Sequence, residues 1–209
     1  MYLPTHFEET SIEEIKHLIE EFALSVLVVN TSEGLVANHI PLMLLNQNVL
    51  IGHIAYNNDL HRNFIKNDDV LAVFRGEDAY ISPNWYPSKK IHHKHVPTWN
   101  YQVAHVNGKI TFPHDKKTKI SIVGKLTKHY EKKVNGPNGW KMADAPKEYM
   151  EAMLDSIVAF KIDISKVTGK SKLSQNREKQ DFDNVANILE KNGKHTLSKR
   201  MKKIKDTKA

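Results

Sequence analysis

The chain of 209 residues contains no cysteine. That removes disulfides, thiolate zinc sites, iron–sulfur clusters and thiol nucleophiles together. No run of 18 or more apolar residues occurs, so neither a membrane-spanning helix nor a membrane partner is expected. The opening residues, "MYLPTHFEET", have neither a basic start nor an apolar signal core. With the missing cysteines, this points to a cytoplasmic protein. Glycine is scarce, at nine residues, and no glycine-rich strand-to-helix loop is found. That argues against a Rossmann or P-loop nucleotide site. No paired carboxylates, nucleophile elbow or Ser/His/Asp spacing stands out.

What is present is a basic chain of charge +7 with a hydrophobic fraction of 40%, enough for one core with appendages. The charge is uneven. From Glu190 to Ala209 eight lysines and arginines face two acids, a surplus of six, so the other 189 residues share a surplus of one. A basic end of this kind attracts phosphate backbones by salt-sensitive electrostatics, which makes DNA a candidate partner through the C-terminal tail. The alternative is a solvated, fraying terminus.

Hydrophobic periodicity places a short helix at "SIEEIKHLIEEF", with Ser11 and Glu14 at capping-box spacing. Strands follow at "ALSVLVVN", at "LVANHIPLMLL" (interrupted at His39-Ile40-Pro41, hence an edge, a bulge or a bend) and at "VLIGHIAY". "VLAVFRG" and "AYIS" read as two strands with "GED" between them. "TWNYQVAHV" reads as a strand turning at Asn107-Gly108 into "KITF". A helical stretch begins at Asp115 with Ile120, Val123, Leu126 and Tyr130 in register, and a last long strand covers "IVAFKIDI". The helix "EKQDFDNVANILEKNG" carries Phe182, Val185, Ile188 and Leu189 on one side. Six or seven strands joined by short turns, with helices at both ends, predict a mainly β fold with peripheral helices (α+β), closed as an antiparallel barrel. The expected organisation is a domain over 1–175, with a helical insertion at about 114–155, and a C-terminal helical segment with the basic tail over 176–209.

Three groups of residues suit a planar, phosphate-bearing ligand. His39 and His53 lie on neighbouring predicted strands, and Asn57 and Asn58 follow at a strand end, where amides can donate and accept at once. Ser82, Lys89, Thr98 and Asn100 bring hydroxyl, ammonium and amide groups among Trp85, Tyr86, Trp99 and Tyr101. "GKSKLSQNR" sets Lys170, Lys172 and Arg177 around Ser174, Gln175 and Asn176, a mixture suited to phosphate or to a helix N-cap. A fourth group, His92, His93 and His95, sits in a basic loop without a nearby carboxylate, which is poor material for a metal site.

The motifs "MYLPTHF", "GLVANHIPLML", "GHIAYNN", "AYISPNWYPSK", "VPTWNYQVAHVNG" and "KLSQNR" follow one another as in the PaiB family, which this chain resembles from Met1 to about Leu189. It departs from the family pattern at Tyr56 and at "FRGED". The resemblance implies an FMN-binding split β-barrel similar to that of pyridoxamine-phosphate oxidases. It further implies a homodimer, FMN as cofactor and a role as a negative transcriptional regulator. The cofactor-binding residues it suggests are His39, His53, Asn57, Ser82, Lys89, Thr98, Trp99, Asn100, Lys172, Ser174, Gln175 and Arg177. A flavin-dependent oxidoreductase, or a haem-handling protein without direct DNA binding, is the alternative. Strand alternation further predicts that Thr98 and Asn100 face the flavin while Trp99 and Tyr101 pack the core or the dimer. Asn100→Ala is then expected to weaken flavin binding at little cost to stability, and Trp99→Ala to destabilise fold or dimer.

Overall fold

The computed structural model describes residues 1–207. In chain order the strands and helices are β1 (Glu8–Glu9), α1 (Ile12–Glu21), β2 (Leu24–Thr31), β3 (Gly34–Pro41), β4 (Met43–Asn46), β5 (Val49–Ala55), α2 (Leu60–Asn63), β6 (Asp69–Ile81), α3 (Lys89–His92), β7 (Thr98–Thr111), α4 (Lys116–Asn135), α5 (Lys147–Asp155), β8 (Ile157–Lys172), α6 (Lys179–Lys191) and α7 (His195–Thr207). The eight strands form one mostly antiparallel sheet in the order β3-β2-β6-β7-β8-β5-β4, with β1 added to β8. The chain divides into two compact units: Met1–Glu21 with Arg75–Ala104 and Thr168–Ala209, and Phe22–Phe74 with His105–Val167.

In the second unit β2 shows the alternation that a half-buried strand requires, with Ser25, Leu27, Val29 and Thr31 turned inward. It pairs antiparallel with β3, which lies at the end of the sheet order and stops at Pro41, where proline cannot donate to a ladder. β5 is buried on both faces from Leu50 to Gly52, and a Cβ at Gly52 would press into Leu42 and Phe160. β3 also comes close to β5, so these strands curl toward one another. Asp115 caps α4 by accepting from the Thr118 amide at 2.7 Å. The buried face of α4 is Ile122 and Leu126, packed with Ile51 and Ala159. Ile120, which the helical register placed on that face, is exposed.

Two expected turns are absent. β6 runs unbroken through Gly76-Glu77-Asp78, and β7 runs unbroken through Asn107-Gly108. At β6 the cause lies in the first unit. Glu77 accepts from the Leu197 amide at 2.9 Å, capping α7, so a polar tripeptide that would otherwise favour a turn is held extended. Gly108 serves close approach rather than a turn, because a Cβ there would collide with the Asp163 carbonyl of β8.

The first unit is built on the apolar face of α6. Phe182, Val185, Ala186 and Leu189 pack with Ala79, Ile81, Tyr86, Leu173, Leu197 and Met201. Ser11 caps α1 by accepting from the Glu14 amide at 3.3 Å. In the described part of the basic end, α7 buries Leu197 and Met201 and places Arg200 against Glu14 and Glu21 of α1. Lys208 lies outside the described residues. Among the described residues no helix is long and apolar enough to cross a membrane.

Candidate functional site

In the second unit His39 stands on β3 and His53 on β5, and both are exposed. The two strands are not hydrogen-bonded neighbours, as the motif spacing had suggested: β3 pairs with β2, and β5 with β4 and β8. Protein atoms crowd the His53 ring although the residue stays open to solvent, and desolvation lowers its pKa. Asn57 is exposed. Its neighbour Asn58 is spent on structure, donating to Asn38 Oδ1 at 2.9 Å and accepting from the Leu60 amide at 3.0 Å.

In the first unit the start of β7 and the end of β8 meet. Lys172 donates to Thr98 Oγ1 and, at 2.6 Å, to the Trp99 carbonyl. Ser174 Oγ donates to Asn100 Oδ1 at 3.0 Å. Gln175 accepts from the Leu173 amide at 2.7 Å and donates to the Ser171 carbonyl, closing the turn that leaves β8. Ser82 accepts from the Asn84 amide at 3.2 Å, and Lys89 Nζ donates to Asn84 Oδ1 at 2.6 Å. Those two shape the loop around Pro83–Trp85. Two motif groups more than 70 residues apart in sequence are therefore joined here, Thr98 and Asn100 with Lys172 and Ser174.

Lys170, Lys172 and Arg177 form no ion pair with a carboxylate among the described residues. Lys170 is buried, donates to the Tyr2 carbonyl at 3.1 Å and lies 5.5 Å from the Tyr101 ring centre. Arg177 sits 4.8 Å over the Tyr86 ring. Desolvation, then the charges of Lys170 and Arg177, lower the pKa of Lys172. Crowded cations with no acid between them are unfavourable in isolation, and a dianion relieves that cost. The donor set thus fits the phosphate of FMN. Beside it a cavity of about 630 Å³ is lined by Gln102, Ser171, Gln175 and Arg200 together with Glu9 and Glu14, a size within the usual range for small-molecule sites. A smaller cavity of about 290 Å³ runs along Tyr80, Trp85 and the half-exposed Trp99.

Comparison with known proteins bears on the family and the cofactor. The family model described as "Putative FMN-binding domain" matches residues 1–166. The chain belongs to this FMN-binding family. FMN is the cofactor that the assignment gives it. The chain is similar to "Protease synthase and sporulation protein PAI 2" of Bacillus subtilis, 34% identical over 211 residues that cover 100% of this chain and 98% of that one. This bears out the PaiB resemblance carried by the motifs. It is also similar to "Uncharacterized protein YKL070W" of Saccharomyces cerevisiae, 31% identical over 64% of this chain and 92% of that one. Among solved structures the FAD and heme binding protein of Mycobacterium smegmatis shares the fold with a TM-score of 0.57 at 13% identity, covering 79% of this chain and 73% of that one. The flavocytochrome Anf3 of Azotobacter vinelandii does so with a TM-score of 0.60 at 8% identity, covering 87% and 78%. The mainly β split-barrel fold expected of this FMN-binding chain is thereby established.

The sequence patterns missed Ser88 and Asp181 and passed over His95 as a poor metal ligand. Ser88 and Asp181 are almost fully buried, and the Ser88 amide donates to Asp181 Oδ1 at 3.0 Å. Nothing local marks them, because the two lie 93 residues apart. No group of three His, Asp or Glu residues is placed to hold a metal ion among the described residues.

Proposed function

We propose that this chain is a cytoplasmic FMN-binding homodimer of the PaiB type that acts as a negative regulator of transcription. The observation that carries the flavin mode is the set of cations Lys170, Lys172 and Arg177, without a carboxylate partner among the described residues, beside Thr98 and the exposed face of Trp99. Lys172 and Arg177, with Thr98, would hold the phosphate. Ser174 and Asn100 fix the turn that presents them. His39, His53 and Asn57 keep a proposed ligand role as polar groups of the second unit that solvent reaches. When bound, FMN would supply reversible one- and two-electron chemistry. The chain's own residues bind, orient and screen the cofactor.

The test is reconstitution with FMN followed by a visible spectrum and a thermal shift. Bound flavin with a shift that Lys172→Met abolishes supports the reading. No flavin absorbance and no shift after reconstitution would sink it. For regulation, Lys191 and Lys199 are the side-chain cations near the C-terminus, up to Lys203, without a carboxylate partner among the described residues, whereas Lys194, Arg200, Lys202 and Lys203 face Glu77, Glu14, Glu21 or Glu190. These two lysines are therefore the proposed phosphate contacts to DNA.

A further inference from the structure

Arg177 lies on the loop between β8 and α6, yet its guanidinium is not left to wander. Its Nη1 donates to His95 Nδ1 at 3.3 Å. That makes Nδ1 the acceptor, so the proton of the neutral ring sits on Nε2, which lies 2.7 Å from Ser88 Oγ. The Ser88 hydroxyl in turn donates to Asp181 Oδ2 at 2.5 Å, and its amide donates to Asp181 Oδ1 at 3.0 Å. One proton assignment satisfies every link. The Tyr86 ring floors both cationic and imidazole groups, 4.8 Å from the Arg177 guanidinium and 4.7 Å from the His95 ring. The His95 and Asp181 side chains are only 7% and 2% exposed, so the chain of bonds is shielded from competing water.

We infer that Asp181, Ser88 and His95 are positioning residues that aim Arg177 at the phosphate of FMN. The order of the groups is the argument. A carboxylate bonded directly to Arg177 would hold it but cancel its charge. Here the carboxylate bonds Ser88 and lies 3.5 Å from His95 Nε2, on the far side of the ring from Arg177, and the group that touches Arg177 is a neutral acceptor. Orientation is transmitted while the positive charge stays available to an anion. A guanidinium has five N–H donors, and the bond to His95 uses one. The inference rests on the proposed role of Arg177 in holding the phosphate.

The test compares FMN with riboflavin, which lacks the phosphate, by fluorescence titration of the full chain. Arg177→Met should cut FMN affinity and spare riboflavin. Asp181→Asn and His95→Gln should each weaken FMN about 10-fold, with riboflavin unchanged. His95→Gln keeps a donor near the Nε2 position but loses the acceptor at Nδ1. His95→Asn places an amide oxygen near Nδ1 and should recover part of the affinity. In the Arg177→Met background, His95→Gln should add no further loss. If His95→Gln and Asp181→Asn weaken FMN and riboflavin equally, the cluster is only structural and the inference fails. It fails as well if both variants leave FMN affinity at the wild-type value while Arg177→Met lowers it. If Arg177→Met itself leaves the ratio of FMN to riboflavin affinity unchanged, the phosphate reading of Arg177 fails, and the inference falls with it.

Discussion

Ser174 Oγ donates to Asn100 Oδ1 at 3.0 Å, tying the turn after β8 to the third residue of β7. Ser174 holds a left-handed φ of 62°, a conformation that a non-glycine residue keeps only when its surroundings enforce it. Asn100 is 1% exposed, with its Nδ2 3.6 Å from the Met201 sulfur. It is a strut behind the site. Strand alternation alone suggested that Asn100→Ala would cost little stability, but its burial reverses that expectation. The variant should lose about 1–3 kcal/mol in urea unfolding of the cofactor-free protein, because Ser174 is left without its acceptor. A wild-type midpoint would return Asn100 to the status of a direct ligand.

Trp99 gives the complementary case. It is half exposed and meets Tyr80 edge-on with ring centres 5.8 Å apart. Trp99→Ala should therefore cost the folded chain less than about 1 kcal/mol. Any larger effect should appear as weaker self-association in sedimentation, since the exposed face is free to pack a partner. A loss of several kcal/mol that does not depend on protein concentration would contradict this placement.

Glu14 and Arg200 form a pair only 14% and 8% exposed, with Lys203 on the other carboxylate oxygen of Glu14. Burial alone would raise the Glu14 pKa, but the Lys203 hydrogen bond and the charges of Arg200, Lys203 and His17 outweigh it and lower the pKa. A depressed carboxylate pKa contributes stability that is whole above the unfolded value, about 4.3, and is lost as pH falls through the folded value. Glu14→Gln should thus lower the denaturation midpoint at pH 7 and narrow its gap to wild type below about pH 4. A gap of equal size at pH 7 and at about pH 3 would show that Glu14 contributes by packing alone.

Lys172 carries the opposite sign. Desolvation and the neighbouring cations Lys170 and Arg177 depress its pKa. A depressed lysine pKa penalises folding while both states are protonated, and the penalty lifts as pH rises from the folded value toward the unfolded one, about 10.4. In the cofactor-free protein Lys172→Met should therefore raise the melting temperature or leave it level, flatten the rise in stability toward alkaline pH, and abolish the added stability that FMN gives. A variant that melts well below wild type without FMN would mean that the Lys172 bonds to Thr98 and Trp99 outweigh the desolvation.

How far the sequence anticipated this architecture depends on whether a residue's reason is local. Pro41 signalled an edge, a bulge or a bend because a missing N–H acts on its own ladder, and β3 lies at the end of the sheet order and stops there. The apolar face of α6 was legible because periodicity is a property of the helix itself. Gly108 and Gly76-Glu77-Asp78 misled because their explanations sit elsewhere, in the Asp163 carbonyl and in the α7 amide that Glu77 caps. The site divides the same way. Residue types pointed to a phosphate or a helix N-cap around Lys172 and Arg177, whereas the hold of Asp181 on Ser88 spans 93 residues and leaves no pattern.

At the basic end of the chain the proposed DNA contact can be tested apart from stability. Leu197 and Met201 of α7 are buried in the core of the first unit, and Ser198 Oγ donates to the Ala186 carbonyl at 2.9 Å. Deleting everything after Gly193 would strip that core as well as the charge. The truncated chain should lose at least about 3 kcal/mol, so its failure to bind DNA would say nothing about contacts. Lys191→Gln with Lys199→Gln removes two charges that have no carboxylate partner among the described residues and disturbs no buried group. In salt titrations of DNA binding this double variant should reduce the slope of log affinity against log salt by about 2, with unfolding midpoints at the wild-type value. An unchanged slope would remove these two lysines from the DNA contact.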